Sequence, residues 1–250
     1  MPVDILLNGI SMEYDPYPVG YFCPAFVPDT YDTLQAAWPD ESRFVKIPEL
    51  GNKLSLSRTN NGKFWLKVIK SKPWNLFHRA VSSNSFIKRI IRILHEKEID
   101  IFISDEKLST RWEFSMLPGE GGSIIPHTDS PHKIITFIFS FSDDWPEGDG
   151  GTEIYKTKHP KMSFNFMNRQ IPWKDIVFLR SMPFCGNQCT LFVKTFNSLH
   201  GVRPLDVPGK MRKTITVNII RDRFKDAVKA KDVAKAKEEA RAKEEAKAKK

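Results

Sequence analysis

The sequence predicts an α+β fold: a β-sandwich or jelly-roll core, N-terminal helices covering it, and a charged helical tail. Three observations predict it. Before residue 100, apolar residues recur at helical spacing; from about Ser109 the period changes to two; the end of the chain is almost wholly Ala, Lys, Glu and Arg. With 250 residues there is length for one good-sized domain, or a core with an appended subdomain. The expected division is 1–108 as a mixed helical and strand region packing on the core, 109–224 as the jelly roll, and 225–250 as the tail.

In the first region Asp29 and Thr30 are expected to cap a helix running to about Trp38, ended by Pro39. Pro73 opens a second short helix through Ala80. Ser83 or Ser85 then starts a third, in which Phe86, Ile90, Ile93 and Leu94 form an apolar stripe suited to one face of a sheet. Further on, residues 111–117, 134–141, 152–155, 176–179, 188–193 and 212–220 read as strands. Gly/Pro/Asp turns at 118–122, 143–151 and 204–209 separate them. Many strands, hairpin turns and few helices argue a sandwich or roll. The connection between Tyr155 and Ile176 is longer than a hairpin needs, which marks it as a lid candidate. The tail has no apolar stripe after Val233, so it reads as a solvated helix.

Composition excludes several classes. Hydrophobic content of 40% and aromatic content of 12% belong to a packed chain rather than a disordered one. Cys23, Cys185 and Cys189 are odd in number and form neither a disulfide framework nor a zinc site, so they read as free thiols. No signal peptide is visible and no apolar run nears the ~20 residues of a membrane span, so a soluble cytoplasmic protein is expected. The net charge of +9 includes ten Lys/Arg against six Asp/Glu in 225–250, leaving +5 on the body. That balance does not call for nucleic acid.

His127-Thr-Asp129 follows a Gly-rich turn and precedes a long apolar strand. Residues i and i+2 of a strand point to one side, so both side chains can hold one ion, with His200 as third donor. Two imidazoles and a carboxylate leave part of the metal's coordination sphere open to other ligands. His132 is near enough to support the site from behind, though it suits a surface position too. On the strand 212–220 one parity is Lys213, Ile215, Val217 and Ile219. The other is Arg212, Thr214, Thr216 and Asn218. If the apolar parity packs on covering structure, the polar parity turns inward, which is costly unless it lines a ligand-filled cavity. An inward Arg212 needs an anion, and its fork suits a carboxylate.

Residues 111–219 resemble the 2-oxoglutarate/Fe(II) oxygenases of prolyl 4-hydroxylase type. The likeness rests on His127-x-Asp129, Gly150-Gly-Thr-Glu-Ile154, His200-Gly-Val202 and Arg212, in that order. It implies a double-stranded β-helix, with Fe(II) on His127, Asp129 and His200, and 2-oxoglutarate held at its distal carboxylate by Arg212 with help from Thr216. Ser140 stands where many relatives place a tyrosine against that carboxylate, and Leu117 where a second tyrosine often precedes the turn. The resemblance also implies ascorbate as an accessory reductant, and hydroxylation of a small-molecule, sugar-type or peptide side-chain substrate with release of succinate and CO2. Arg111, Glu113 and Ser115 share a parity that can line the substrate pocket or lie at the surface. His159, Lys161, Phe164, Phe166 and Trp173 can close over substrate or pack on the roll. Two other readings stay open: a nucleic-acid demethylase and a non-catalytic cupin-like binding module.

Overall fold

The structure is a computed structural model that describes residues 3–101, 107–159 and 170–222. In chain order the elements are β1 (Ser11–Glu13), β2 (Val19–Phe22), α1 (Pro28–Ala36), β3 (Val45–Ile47), β4 (Lys53–Leu56), α2 (Gly62–Val68), α3 (Lys72–Val81) and α4 (Asn84–Glu96). There follow β5 (Leu108–Glu120), β6 (Ile124–His127), β7 (Lys133–Ser140), β8 (Glu153–Thr157), β9 (Ile176–Ser181), β10 (Cys189–Val193), β11 (His200–Val202) and β12 (Asp206–Arg221). Among the described residues two antiparallel sheets form. The larger has the order β1-β2-β10-β7-β12-β5-β4-β3, and the smaller β6-β11-β8-β9. From β5 onward the chain passes repeatedly between the two sheets, β5, β7, β10 and β12 in the larger and β6, β8, β9 and β11 in the smaller, consistent with a jelly-roll core. The tail expected at 225–250 lies outside the described residues.

The helices form where caps and stripes agree. Ser83 Oγ accepts from the Phe86 N–H at 3.1 Å and starts α4, whose Phe86, Ile87, Ile90 and Leu94 are buried. Ile93 is only half-buried, because the stripe turns toward Ile87. In α3, Trp74, Phe77 and Val81 make the buried stripe. One expected start is corrected. α1 begins at Pro28, not at an Asp29-Thr30 cap; Val27 is its extended N-cap residue and supplies no side-chain hydrogen bond. Proline's fixed φ starts the first turn without one.

These helices cover the outer face of the large sheet. Trp74 meets Phe114 edge-on at 4.6 Å, Phe77 meets Trp112 at 4.9 Å, and Phe86 packs on Phe137 at 5.8 Å. The first hundred residues do more than cover the roll. β1 and β2 extend its large sheet beyond β10, and β3 and β4 extend it beyond β5. Strands of three or four residues give alternation too little length to be seen. No described helix is long and apolar enough to cross a membrane.

Candidate metal centre

Outward packing of the apolar parity fixes what faces inward. On β12, Ile215, Val217 and Ile219 are fully buried in the core beneath the helices. Arg212, Thr214 and Asn218 are buried on the other face, and Thr216 is half-buried. β7 repeats the pattern, with Phe137 and Phe139 outward and Thr136 and Ser140 inward. The inner face is therefore polar, as the alternation predicts.

His127 and His200 meet across a strand pair. β6 and β11 are antiparallel with His127 opposite His200, and the ring centroids lie 4.5 Å apart. His127 Nδ1 is 2.9 Å from the Ile125 carbonyl oxygen, and His200 Nδ1 is 2.9 Å from that of Ser198. A carbonyl only accepts, so each Nδ1 carries the proton and each Nε2 keeps its lone pair for a metal. Burial, reinforced by the neighbouring His127, pushes His200 down to about 3; burial lowers His127 too. Both rings are neutral at neutral pH, the state a ligand requires.

Asp129 stands two residues beyond His127, past the end of its strand, and reaches the same site. β6 ends at His127, and Asp129 lies in the loop that follows, secured by β7. Lys133 Nζ donates to Asp129 Oδ1 at 2.6 Å, and Thr136 Oγ1 donates to Oδ2 at 2.6 Å. Thr136 Oγ1 is also 2.9 Å from the Asn218 amide oxygen position. One hydroxyl proton cannot serve both, so the Asn218 amide turns its N–H toward Thr136, completing a relay to the carboxylate. Burial pushes Asp129 up, but the opposing charges, Lys133 first, outweigh it and hold the carboxyl well below the usual range. Asp129 Oδ1 lies 3.9 Å from His127 Nε2, and one donor atom from each of His127, Asp129 and His200 fits within 4.8 Å. Two neutral imidazoles and an ionised carboxylate suit a divalent first-row metal and, being three, leave coordination positions open.

Arg212 is buried deeper in the roll, cross-strand from Leu117. Its Nε donates to the Gly150 carbonyl at 2.5 Å and its guanidinium lies 4.3 Å from the Phe184 ring centroid. The Gly150-Gly151 turn is built for this approach. Gly150 has φ +68° and a Cβ there would strike Trp145, while a Cβ on Gly151 would strike the Met182 carbonyl. Nη2 of Arg212 has no protein partner, nor does Ser140 Oγ, nor Trp145 Nε1. Trp145 packs on Phe184 at 5.8 Å, and Ser140 is cross-strand from Thr214. Three buried donors without protein partners make an incomplete polar site. Burial without a counter-anion pushes Arg212 below its ordinary value, though a guanidinium stays charged at neutral pH.

The remaining expected residues divide. Arg203 is half-exposed and held by Glu153, so it is Arg212 that faces inward. Glu113 is bound to Lys53 and Ser55, Ser115 is buried, and Arg111 is exposed. His132 is half-buried and near enough to feel the charge of Asp129. Of the long connection, 160–169, with Lys161, Phe164 and Phe166, lies outside the described residues. Its described end returns beside the triad: Gln170 bridges His127, and the Ile171 N–H donates to the Pro126 carbonyl at 2.8 Å. His159 sits at the surface near Asp175, and Trp173 packs on Tyr155. Cys23, Cys185 and Cys189 are free thiols. Sequence reasoning missed Lys133, Thr136, Trp145 and Phe184. Thr136 shares the inward parity of β7 and is legible there; Trp145 and Phe184 lie in loops with no periodic signal.

No protein-family model matches the chain, and no curated protein matches it. Solved structures do. A prolyl-4-hydroxylase from Pseudomonas putida is 11% identical with a TM-score of 0.50, the alignment covering 81% of this chain and 92% of that one. The non-haem α-ketoglutarate-dependent epimerase SnoN of nogalamycin biosynthesis is 12% identical, with a TM-score of 0.49 and coverage of 81% and 77%. HygX from Streptomyces hygroscopicus, with nickel and 2-oxoglutarate bound, is 9% identical, with a TM-score of 0.49 and coverage of 81% and 82%. The likeness to the first establishes a shared fold, the prolyl 4-hydroxylase-type roll.

Proposed function

We propose that the protein is an Fe(II)- and 2-oxoglutarate-dependent oxygenase that hydroxylates an organic substrate. The observation that carries this is a three-donor metal site joined, through the inward polar row of β7 and β12, to a buried Arg212 whose Nη2 has no partner. A binding module has no use for both. His127, Asp129 and His200 hold the metal. Arg212 grips the distal carboxylate of 2-oxoglutarate, with Ser140, Thr216 and Trp145 Nε1 as supporting donors. Where relatives place a tyrosine, Ser140 is too short to reach alone, and the Trp145 indole N–H offers the missing donor.

What iron and 2-oxoglutarate supply when bound is oxidation of a substrate C–H, coupled to release of succinate and CO2. The chain's own part is positioning. The carbonyls of Ile125 and Ser198 fix the imidazole tautomers, and Lys133 and Thr136 keep Asp129 ionised. The Gly150 carbonyl and the Phe184 ring aim Arg212. Held this way, the donors need little reorganisation when metal and co-substrate arrive. Ascorbate would act only from solution, to keep the iron reduced.

The test is to load the protein with Fe(II) under nitrogen, add 2-oxoglutarate and look for the visible charge-transfer band of a chelated keto acid, then admit O2 and measure succinate. Band and succinate are expected. Their absence from correctly folded protein would refute the assignment.

A further inference from the structure

Cys23 and Cys185 take no part in the chemistry proposed above. Cys23 follows β2 and Cys185 lies in the loop between β9 and β10; both are exposed. Pairing of β2 with β10 sets the two segments side by side, with Phe22 opposite Cys189. Asn187 then fastens them. Its side-chain oxygen accepts from the Phe26 N–H at 2.9 Å, its amide nitrogen donates to the Phe26 carbonyl at 2.9 Å, and its backbone carbonyl accepts from the Ala25 N–H at 2.7 Å. The result is that the Cys23 and Cys185 thiols stand in hydrogen-bond contact. Among the described residues no third His, Cys, Asp or Glu joins them in a metal-holding group, so the pair is not a zinc-type site. Cys189 is sealed in the core beneath the helices and cannot compete for either sulfur.

The Cys185 loop is also the loop that holds Arg212. Phe184, whose ring lies against the Arg212 guanidinium, is the residue before Cys185. Buried Gln188 staples the loop: its Oε1 accepts from the Cys185 N–H at 3.1 Å, and its Nε2 donates to the Pro183 carbonyl. Residues 183–185 are therefore tied into one piece. A covalent bond holds two sulfurs closer than a hydrogen bond does, so joining them draws Cys185 toward the end of β2. In the large sheet β10 and β7 stand between β2 and β12, so that pull takes Phe184 away from Arg212.

We infer that Cys23 and Cys185 are a redox-active pair: hydrogen peroxide joins them in a disulfide, and the closed form loosens the grip of Arg212 on the co-substrate. One sulfur attacks the peroxide, whose O–O bond breaks to release one water and leave a sulfenic acid. The second sulfur displaces that hydroxyl as another water and forms the S–S bond. Two thiols thus lose two electrons and two protons, and the peroxide takes them up as it becomes two waters. A dithiol reductant reverses the change by exchange and is itself left as a disulfide. The consequence for 2-oxoglutarate rests on the oxygenase reading above; the joining of the sulfurs does not.

In the experiment the reduced, metal-free chain is treated with hydrogen peroxide, freed of it by gel filtration and divided. One half is denatured, alkylated and mapped by mass spectrometry without reduction. A peptide linked through Cys23 and Cys185 is expected, with reactive thiols falling from three to one and dithiothreitol restoring all three. No linked peptide, or a link that uses Cys189 or joins two molecules, overturns the inference. The other half is loaded with Fe(II), and succinate formation is followed against 2-oxoglutarate. Its half-saturating concentration should stand ~3-fold or more above that of the reduced protein, the size of a weakened cation–π contact on Arg212. Cys23→Ser should match the reduced parent both before and after peroxide. A disulfide that leaves the half-saturating concentration unchanged, or a rise that persists in Cys23→Ser, overturns the control of Arg212 by this pair. No succinate from the reduced protein breaks the oxygenase reading itself, and the mass map still decides the pair.

Discussion

The two faces of β7 and β12 are almost equally dry and do opposite things. Outward, Ile135, Phe137, Phe139, Ile215, Val217 and Ile219 are sealed under the helices. Inward, Thr136, Ser140, Arg212, Thr214 and Asn218 are just as inaccessible, each less than 10% exposed. The outward row satisfies itself by packing, since dispersion and lost water contact need no partner chemistry. The inward row leaves Arg212 Nη2 and Ser140 Oγ without partners, a cost that only a ligand can offset. Equal burial therefore does not mean equal contribution to stability. One face holds the fold, and the other holds the chemistry at the fold's expense.

That contrast breaks most sharply at the metal. His127→Ala, Asp129→Ala and His200→Ala should each abolish metal-dependent succinate formation while circular dichroism stays native; full turnover in any of them would dissolve the inner-face assignment. On the outer face, Phe137→Ala should cost ~3–5 kcal/mol in urea unfolding, the range for a fully buried aromatic. A loss under about 1 kcal/mol would mean the outer row is not what secures the sheet.

Arg212→Met makes the two roles move in opposite directions. The half-saturating 2-oxoglutarate concentration should rise ~10- to 100-fold, following the ~1.5–3 kcal/mol of a charge-assisted bond. The ligand-free protein should become more stable by ~1–3 kcal/mol, since an unpaired buried charge gives way to an apolar side chain. Arg212→Lys should recover only part of the co-substrate affinity, because an ammonium cannot make the fork. Stability that falls in Arg212→Met would count against a strained inner face.

Acid sharpens the same point for the histidines. Unfolded histidine takes its proton near 6.5, whereas His200 is held neutral down to about 3. The unfolded state thus binds more protons in that window, so the metal-free protein should lose stability as pH falls from 6.5 toward 3. The slope is up to ~1.4 kcal/mol per pH unit for each such group, and His127 has the same sign. Chemical denaturation across this range should show a shallower slope in His200→Asn. The smallest effect belongs to Trp145→Phe, expected to raise the 2-oxoglutarate requirement ~5-fold, about one neutral hydrogen bond, with stability little changed. No change would remove the indole from the co-substrate site.

Much of this architecture is legible in the order of the residues. The outward and inward rows of 212–220 follow from strict alternation, and α3 and α4 from apolar spacing with Pro73 and Ser83 at their starts. The triad and Arg212 stand out through residue type and order along the chain. β1 to β4 are not legible, because three or four residues show no usable period. The start of α1 differs from expectation because a polar pair beside Pro28 imitates a cap. Thr136 has a visible parity but no distinguishing chemistry, since a threonine in a strand is ordinary.

The sequence by itself determined which residues could do chemistry and which face of each long strand they occupy, because side-chain period and residue type are local properties. Only the tertiary structure decided that His127 lies directly opposite His200, that Asp129 sits in a loop secured by Lys133 and Thr136, and that the Gly150 carbonyl and Trp145 close around Arg212. Those facts are matters of register and loop closure between segments tens of residues apart. They are set by long-range pairing and by the packing of the whole roll, and no local pattern encodes them.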